Sequence, residues 1–493
     1  MGAARTRHYV WMTLSSAPAR AEASPSVNPA ADPPSVPSQS VPPKPALPRS
    51  VPLQSAAPQF VPPQSVPPQS APRPSAPATF ASLRVRNFRL FASGALISNT
   101  GGWVQRIAQD WLVLTITGSA AAVGVTTALQ FLPTLLFGMV GGLISDRYPK
   151  RRVLLVTQAG MASMAVVLAC LTLTHEVRAW HVFVVAAVLG MFTAVDNPAR
   201  QSFVNEMVGP AHLRNAISIN SSVFQVAGLI GPAVSGVLIR LVGPGYAFAL
   251  NACTYVAPII ALSLLRSGEL VKSPGAGQPN RRLSDGLRYV VSRPHMLWPT
   301  VLVGVFGLFT INLPVTLAAY ARFVFHSGSS GYGLLSSVVA VGSLAGALIS
   351  ARRSRTRVRG LAAMGMLLAT LDLIAATAPN EWSYCLVLAA VGAATLLLQT
   401  SANSMVQIGA HDTVRGRVMG VYLLVFFGSG AIGGPLVGAI DQYLGPRMGM
   451  LLAGAVPALA TVLVAAKLAR EGRLRVRLNR HGPLSQLVAV VPR

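Results

Sequence analysis

The sequence predicts an all-α membrane protein in which twelve transmembrane helices form two pseudo-symmetric six-helix bundles. Three observations predict it. The 493-residue chain is 52% hydrophobic and only 11% charged, whereas soluble domains carry about 25% charged residues. From Phe88 onward, uncharged or nearly uncharged runs recur twelve times, each close to the roughly 20 residues that cross a hydrocarbon layer. Lys and Arg collect in alternate connections between these runs, as they do in loops that stay cytoplasmic.

Residues 1–82 are dominated by Pro, Ser, Ala, Val and Gln, with a short repeat in Ser65-Val66-Pro67-Pro68-Gln69-Ser70. Too little apolar surface is present to offset chain entropy, so this stretch predicts a disordered, polyproline-like cytoplasmic tail. The N-terminal bundle follows at 83–265, with spans expected at 89–114, 120–144, 153–174, 180–204, 215–242 and 246–265. A basic cytoplasmic loop occupies 266–294. The C-terminal bundle covers 295–470, with spans at 295–324, 331–351, 360–378, 383–407, 416–440 and 447–468, and a basic cytoplasmic tail closes the chain at 471–493.

Charge sets the orientation. Arg84, Arg86 and Arg89 precede the first span, and Thr115 to Ser119, uncharged, follow it. The loop Arg352-Arg353-Ser354-Arg355-Thr356-Arg357-Val358-Arg359 and the segment with Arg473, Arg475, Arg477 and Arg480 are strongly basic. Among the 40 Lys and Arg, only Arg178, Arg240, Arg322 and Arg447 fall in loops placed outside, and Arg106 lies within a span. Both termini are therefore expected in the cytoplasm of a multi-pass plasma-membrane protein. This bias accounts for the net charge of +26 without a groove for nucleic acid. The three cysteines, Cys170, Cys253 and Cys385, lie in apolar spans as packing residues, and no metal-ligand spacing exists. No phosphate-binding glycine loop and no Ser/His/Asp constellation is present, so neither direct ATP drive nor enzyme chemistry, cofactor or metal is expected. No obligate protein partner is evident.

A two-fold repeat runs at an offset of about 200 residues. Leu213-Arg214-Asn215-Ala216 precedes Gly231-Pro232-Ala233-Val234-Ser235-Gly236, and Val414-Arg415-Gly416-Arg417 precedes Gly434-Pro435-Leu436-Val437-Gly438. The pairs fall on the fifth and eleventh spans. Their glycines permit close helix approach, and Pro232 and Pro435 are expected to bend them.

Between the second and third spans lies a dense charged knot, Gly142-Leu143-Ile144-Ser145-Asp146-Arg147-Tyr148-Pro149-Lys150-Arg151-Arg152-Val153-Leu154. It resembles the signature loop of the major facilitator superfamily of transporters, with Pro149 where that family usually has Gly. Asp196-Asn197-Pro198-Ala199-Arg200-Gln201-Ser202-Phe203, its continuation through Asn220 to Gly231-Pro232, Gly331-Tyr332-Gly333-Leu334-Leu335 and Gly433-Gly434-Pro435 are similar to the macrolide and enterobactin exporter branch. The resemblance covers residues 85–470. It implies parallel halves that rock about a central cavity and export coupled to proton entry.

The resemblance also implies a gate. Asp146 would cap the start of the eleventh helix near Gly416, beside Arg415 and Arg417, when the cytoplasmic side is closed. A carboxylate suits a helix N-terminus, whose N–H groups are unpaired. Lys150 or Arg151 would pair with Asp196. Gly142, Arg147 and Arg200 complete this set. The alternative is a loop that only anchors topology, for which basic residues suffice.

Within the first span, Arg106 and Asp110 are four residues apart and share a helix face. Charges in a bilayer turn inward and find partners. Asp110 is therefore the candidate for taking up a coupling proton, with Arg106 tuning it; the alternative is a structural pair near the outer mouth. Asn99, Trp103, Gln105 and Gln109 from this span, with Gln225, Asn312, Gln399 and Asn403, are the candidate cavity lining, against a reading as interhelical hydrogen bonds. Asp372 in the ninth span is a secondary candidate, either for a proton or for a pair with Arg322. An uncharged polar cavity with aromatic rings suits an amphipathic cargo: a drug, a macrolide-like product or a siderophore. The rival readings are an uptake symporter for a nutrient and a non-transporting membrane sensor or scaffold.

Overall fold

In a computed structural model, the described residues are 80–271, 283–351, 358–411, 414–471, 474–478 and 488–492. Expectations for the Pro-rich tail and for the basic clusters at 281–282 and 352–357 lie outside the described residues.

The chain is a helical bundle. A backbone in lipid has no water to bond with, so each span must satisfy its N–H and C=O groups internally. The helices are α1 (Arg86–Thr117), α2 (Ala120–Arg147), α3 (Lys150–Leu173), α4 (Ala179–Val242), α5 (Pro244–Thr254), α6 (Val256–Ser263), α7 (Leu283–Val291), α8 (Pro294–Thr310), α9 (Leu313–Ala319), α10 (Gly328–Ala351), α11 (Val358–Ala376), α12 (Glu381–Gly409), α13 (Arg415–Tyr443) and α14 (Pro446–Glu471). Ten helical stretches among the described residues are long and apolar enough to cross a membrane. The first expected span, on α1, is not one of them, because its polar residues dilute its hydropathy.

One of the ten, α4, runs for 64 residues, about 96 Å at 1.5 Å per residue and so three times a hydrocarbon layer of about 30 Å. It contains the fourth and fifth expected spans. Gly209 breaks it at φ 64°, followed by Pro210; glycine tolerates that left-handed backbone and proline restarts the helix. The seventh expected span is also broken. α8 and α9 meet at Ile311–Asn312, and α9 passes into a π-helical turn at Tyr320–Val324. Elsewhere the ends follow local chemistry. Gly118 closes α1 at φ 64°, the Ser119 hydroxyl accepts from Ala122 N to start α2, and Asn380 with Ser383 forms a capping box for α12.

The tail beyond α14 holds an element absent from the sequence expectations: β1 (Leu474–Leu478) pairs antiparallel with β2 (Val488–Pro492). Its signal was the period-two alternation Leu474-Arg475-Val476-Arg477-Leu478. The central loop likewise contains the short helix α7, which packs Gly286 against the Arg417 carbonyl of α13.

Packing differs between the two ends of the bundle. At the end holding Thr117 and Ala120, the far end, a single apolar core joins residues of both halves, including Ile107, Leu112, Val123, Phe248, Tyr320, Tyr332, Tyr384 and Val437. At the end holding the charged knot, the knot end, each half has its own core. Phe88, Leu154, Phe203 and Leu262 belong to one, and Met296, Leu361, Leu398 and Val418 to the other. The most extensive pair of helices is α2 with α13, and α4 meets α10 as the second bridge between halves.

Candidate functional site

The two ends of the α2–α13 pair define the site. At the far end the helices touch backbone to backbone. A Cβ on Gly124 would run into the Gly434 carbonyl, and one on Gly438 into Ala120 and Ala121. Gly236 of α4 and Gly333 of α10 meet in the same way. Small residues allow this approach, which gains van der Waals contact where lipid offers no hydrophobic gain. Polar groups complete the seal. Ala120 N, the first amide of α2, donates to Gln442 Oε1 at 2.8 Å, and Tyr332 Oη donates to Asp110 Oδ2 at 2.9 Å. Trp111 lies over Tyr332 with ring centroids 6.3 Å apart.

At the knot end the same helices part. Asp146 is exposed and makes no hydrogen bond or ion pair among the described residues. The N-cap of α13 is Val414, without a side-chain cap. A Cβ on Gly142 or Gly416 would meet nothing within 4 Å. The expected capping of α13 by Asp146 is therefore not made in this arrangement, since the two helix ends do not meet.

The expected pairing of Lys150 or Arg151 with Asp196 is also absent. Lys150 Nζ bonds Glu206 Oε1 at 2.5 Å, and Arg151 bonds Ser263 O at 2.7 Å and Ser267 Oγ at 3.0 Å. Asp196 is taken by Arg200, one turn along α4 at 3.0 Å, and by Thr157 and Gln158 of α3 at 2.8 and 2.9 Å. A carboxylate so satisfied has little left to offer a distant lysine. Arg147 is exposed; Arg417, near Arg415, reaches Asp285 of α7 at 3.4 Å.

The first span divides its polar residues between opposite directions. Asp110 is 2% exposed and its Oδ1 has no partner. Arg106 makes no ion pair with it; its guanidinium lies over the Trp103 ring, 5.1 Å from the centroid. Trp103 packs on Gly228 and Gly231 of α4 and against Phe224 at 5.8 Å. Gln105 does not face a cavity: it is buried and accepts from Asn251 of α5 at 2.5 Å. Gln109 is buried as well. Asn312 is fully buried and donates to Leu308 O at 2.8 Å and Ser429 O at 3.4 Å, which ties the α8–α9 break to α13. Gln105 and Asn312 thus make interhelical hydrogen bonds of the kind common in lipid, whereas the Gln109 amide nitrogen is buried without a partner among the described residues. Asn99, Gln225, Gln399 and Asn403 remain half-exposed. Gln399 borders a small cleft with Phe306, Thr310, Thr395 and Phe426, and Asn403 accepts from Gln407 at 3.0 Å. Phe131 of α2 and Phe427 of α13 face each other across the halves at 6.3 Å.

Sequence reasoning missed Tyr332, Gln442 and Glu206. Tyr332 had a signal in the Gly331-Tyr332-Gly333 motif; Gln442 had none. Among the described residues no group of three His, Cys, Asp or Glu is placed to hold a metal. Asp372 does not pair with Arg322, whose guanidinium lies over Phe323.

Residues 77–481 match the family described as transmembrane secretion effector. The chain belongs to this family of major facilitator transporters. It is 28% identical over 394 residues to the multidrug efflux pump Tap of Mycolicibacterium fortuitum, covering 74% of this chain and 93% of that one. It is 24% identical to the staphyloferrin A transporter of Staphylococcus aureus, over 53% of this chain and 66% of that protein. The enterobactin exporter EntS of Citrobacter koseri is 25% identical, over 69% and 78% of the two chains. Among solved structures, a bacterial homologue of the lysosomal transporter Spinster superposes with a TM-score of 0.61 at 15% identity, over 78% of this chain and 95% of that one. A POT-family peptide transporter superposes with a TM-score of 0.64 at 15% identity, over 79% and 95%. These likenesses show the fold. The family member described here is thus a multi-pass membrane transporter, not an enzyme.

Proposed function

We propose that this transporter exports an amphipathic small molecule from the cytoplasm across the plasma membrane, in exchange for protons, by alternating access. The knot end is the cytoplasmic end and both termini lie in the cytoplasm, a reading the distribution of Arg and Lys supports. The arrangement described is then the inward-open state. One observation carries the reading: the halves share a core, close glycine contacts and two hydrogen bonds at one end and separate at the other. The names of the multidrug efflux pump and the enterobactin exporter among its relatives support outward transport.

Asp110 carries the proton in this reading. It is buried, it binds the opposite half through Tyr332, and it has one oxygen free of partners. Arg106, drawn aside onto Trp103, offers cargo an aromatic and cationic face beside Asn99 and Gln225. Polar, half-exposed Gln399 and Asn403 line the opposing half.

The test is transport by purified protein in liposomes with an imposed pH gradient. Protein inserted with its cytoplasmic face outward should accumulate a fluorescent amphipathic drug when the lumen is acid. Asp110→Asn should abolish the gradient dependence while binding of the drug persists. Accumulation that requires an acid exterior instead would establish a symporter, and gradient-independent transport by wild type would remove the proton.

A further inference from the structure

The C-terminal half contains a buried acid, Asp441, that this transport reading leaves unused. Asp441 sits two residues before the end of α13. It is 2% exposed, and neither carboxylate oxygen completes a hydrogen bond. α14 makes room for it: any Cβ on Gly449 would collide with Asp441 Oδ1. The Thr316 hydroxyl of α9 stands near it. Tyr320, which opens the π-helical turn, is fully buried with its Oη unpaired and within electrostatic reach of Asp441. Its ring stacks on Tyr384 of α12 with centroids 4.4 Å apart. Asp372 is buried too.

The surrounding charges do not neutralise this carboxylate. Arg447 of α14 is exposed, and Arg322 lies over Phe323. No ion pair to Asp441 or Asp372 forms among the described residues. An unpaired carboxylate in such a place either holds a proton or moves toward water. π-helical turns recur at functional sites, and this one carries the buried, unpaired phenol of Tyr320.

Asp441 also adjoins the far-end seal. Its neighbour Gln442 accepts from Ala120 N at 2.8 Å, and Gly438, one turn earlier, packs on Ala120 and Ala121. Whatever shifts the last turn of α13 shifts both contacts. We propose that Asp441 is a proton-binding site that controls the outer gate. With its proton bound, the carboxyl keeps the end of α13 packed on α14 and the gate sealed. Loss of the proton to water at the outer mouth draws the carboxylate outward and releases Gln442 from Ala120. This rests on the alternating-access reading but not on Asp110 or on the identity of the cargo.

The test needs no cargo. Spin labels at Thr117→Cys and Tyr443→Cys, both exposed positions in a cysteine-free background, report the outer mouth of full-length protein in nanodiscs. The wild-type short-distance population should dominate at acid pH and give way to a longer one as pH rises, by up to about tenfold per unit. Asp441→Asn should hold the short population throughout. An Asp441→Asn protein that follows the wild-type curve overturns the proposal and leaves the gate intact. A wild-type distance that ignores pH overturns it as well; if added cargo also fails to move the labels, alternating access falls with it. Should Asp441→Asn not fold, dicyclohexylcarbodiimide, which modifies protonated buried carboxyls, should label the Asp441 peptide of wild type at acid pH and less at alkaline pH. No label there at any pH overturns the proposal.

Discussion

The two ends of the α2–α13 pair are built on one plan and stand in opposite states. The helices run antiparallel, so the end of each points toward the start of the other, but only at the far end do they meet. Gln442, the penultimate residue of α13, accepts from Ala120, the first residue of α2. Asp146, the penultimate residue of α2, is free, and the start of α13 has no side-chain cap. In the gate reading each helix would carry one acceptor for the other's unpaired N-terminal amides, and only the Gln442 contact is made in this arrangement. The difference between the acceptors is their charge. A neutral amide makes a hydrogen bond worth about 0.5–1.5 kcal/mol. A carboxylate adds the helix dipole, worth about 0.3–1 kcal/mol at an exposed end, and its strength falls with salt.

The most severe way to break this comparison is to fill the glycine contact. Gly124→Val places side-chain atoms where the Gly434 carbonyl already stands, and overpacking of this kind costs about 1–3 kcal/mol or more. The far end should no longer seal, and transport should fall by more than about tenfold. Gly142→Val at the other end meets open space in the present arrangement, so it should leave thermal stability unchanged yet still slow transport if the halves close there. Melting curves and initial rates on the two variants separate these outcomes. Equal loss of stability in both would mean that the ends are not alternatives.

Asp146→Asn sharpens the same comparison. Asp146 is exposed and unbonded in the structure, so the fold should be indifferent to it. If the carboxylate closes the cytoplasmic end, the variant should remain inward-open, with transport reduced roughly five- to tenfold, the equivalent of about 1–1.4 kcal/mol. Accessibility of a cysteine at Gly416 to a membrane-impermeant reagent, applied from the cytoplasmic side, should rise. Unchanged accessibility and rate would return the loop to the role of a topology anchor.

How much of this was legible in the sequence follows from what sequence can encode. Every expected span falls on helix, because partition into lipid depends on local composition, which a window of residues reports. The charged knot and the glycine pairs at Gly231 and Gly434 were legible for the same reason: each is a short string with a local meaning. The partners were not. Tyr332 and Asp110 lie 222 residues apart, and Gln442 and Ala120 lie 322 apart; nothing local marks such a contact. For Asp196 the sequence offers a loop lysine as readily as Arg200, and in this arrangement Arg200, one turn along the same helix, reaches it without crossing between elements. Gln105 and Asn312 were read as lining because polarity in a span signals either a cavity or an interhelical bond, and only packing against Asn251 and Ser429 separates the two.

Tyr332→Phe is a milder test of the far end. It removes one donor to Asp110 and keeps the ring that lies beside Trp111. A hydrogen bond to an ionised group is worth about 1.5–3 kcal/mol and one to a neutral acid about 0.5–1.5 kcal/mol. The loss of the sealed population, read by the outer-mouth distance, should therefore be small at acid pH and several-fold larger at alkaline pH if Asp110 exchanges a proton. A loss independent of pH would mean that Asp110 keeps one protonation state.

The smallest expected effect comes from Gln442. Gln442→Ala removes one neutral hydrogen bond at a helix start, and Ser119 still caps the same turn through Ala122 N, so the shift should be about 0.5–1 kcal/mol, a two- to fivefold loss of the sealed population. Gln442→Glu keeps the acceptor and adds a charge toward the α2 N-terminus, which the helix dipole favours. It should seal at least as well as wild type at low ionic strength and lose that advantage in high salt. Gln442→Glu would then make the outer latch resemble Asp146 at the other end. A Glu variant weaker than the Ala variant at low salt would show that nearby Asp441 repels it. The two ends of the pair would then differ for a reason: a second carboxylate is tolerated only where no buried acid stands behind it.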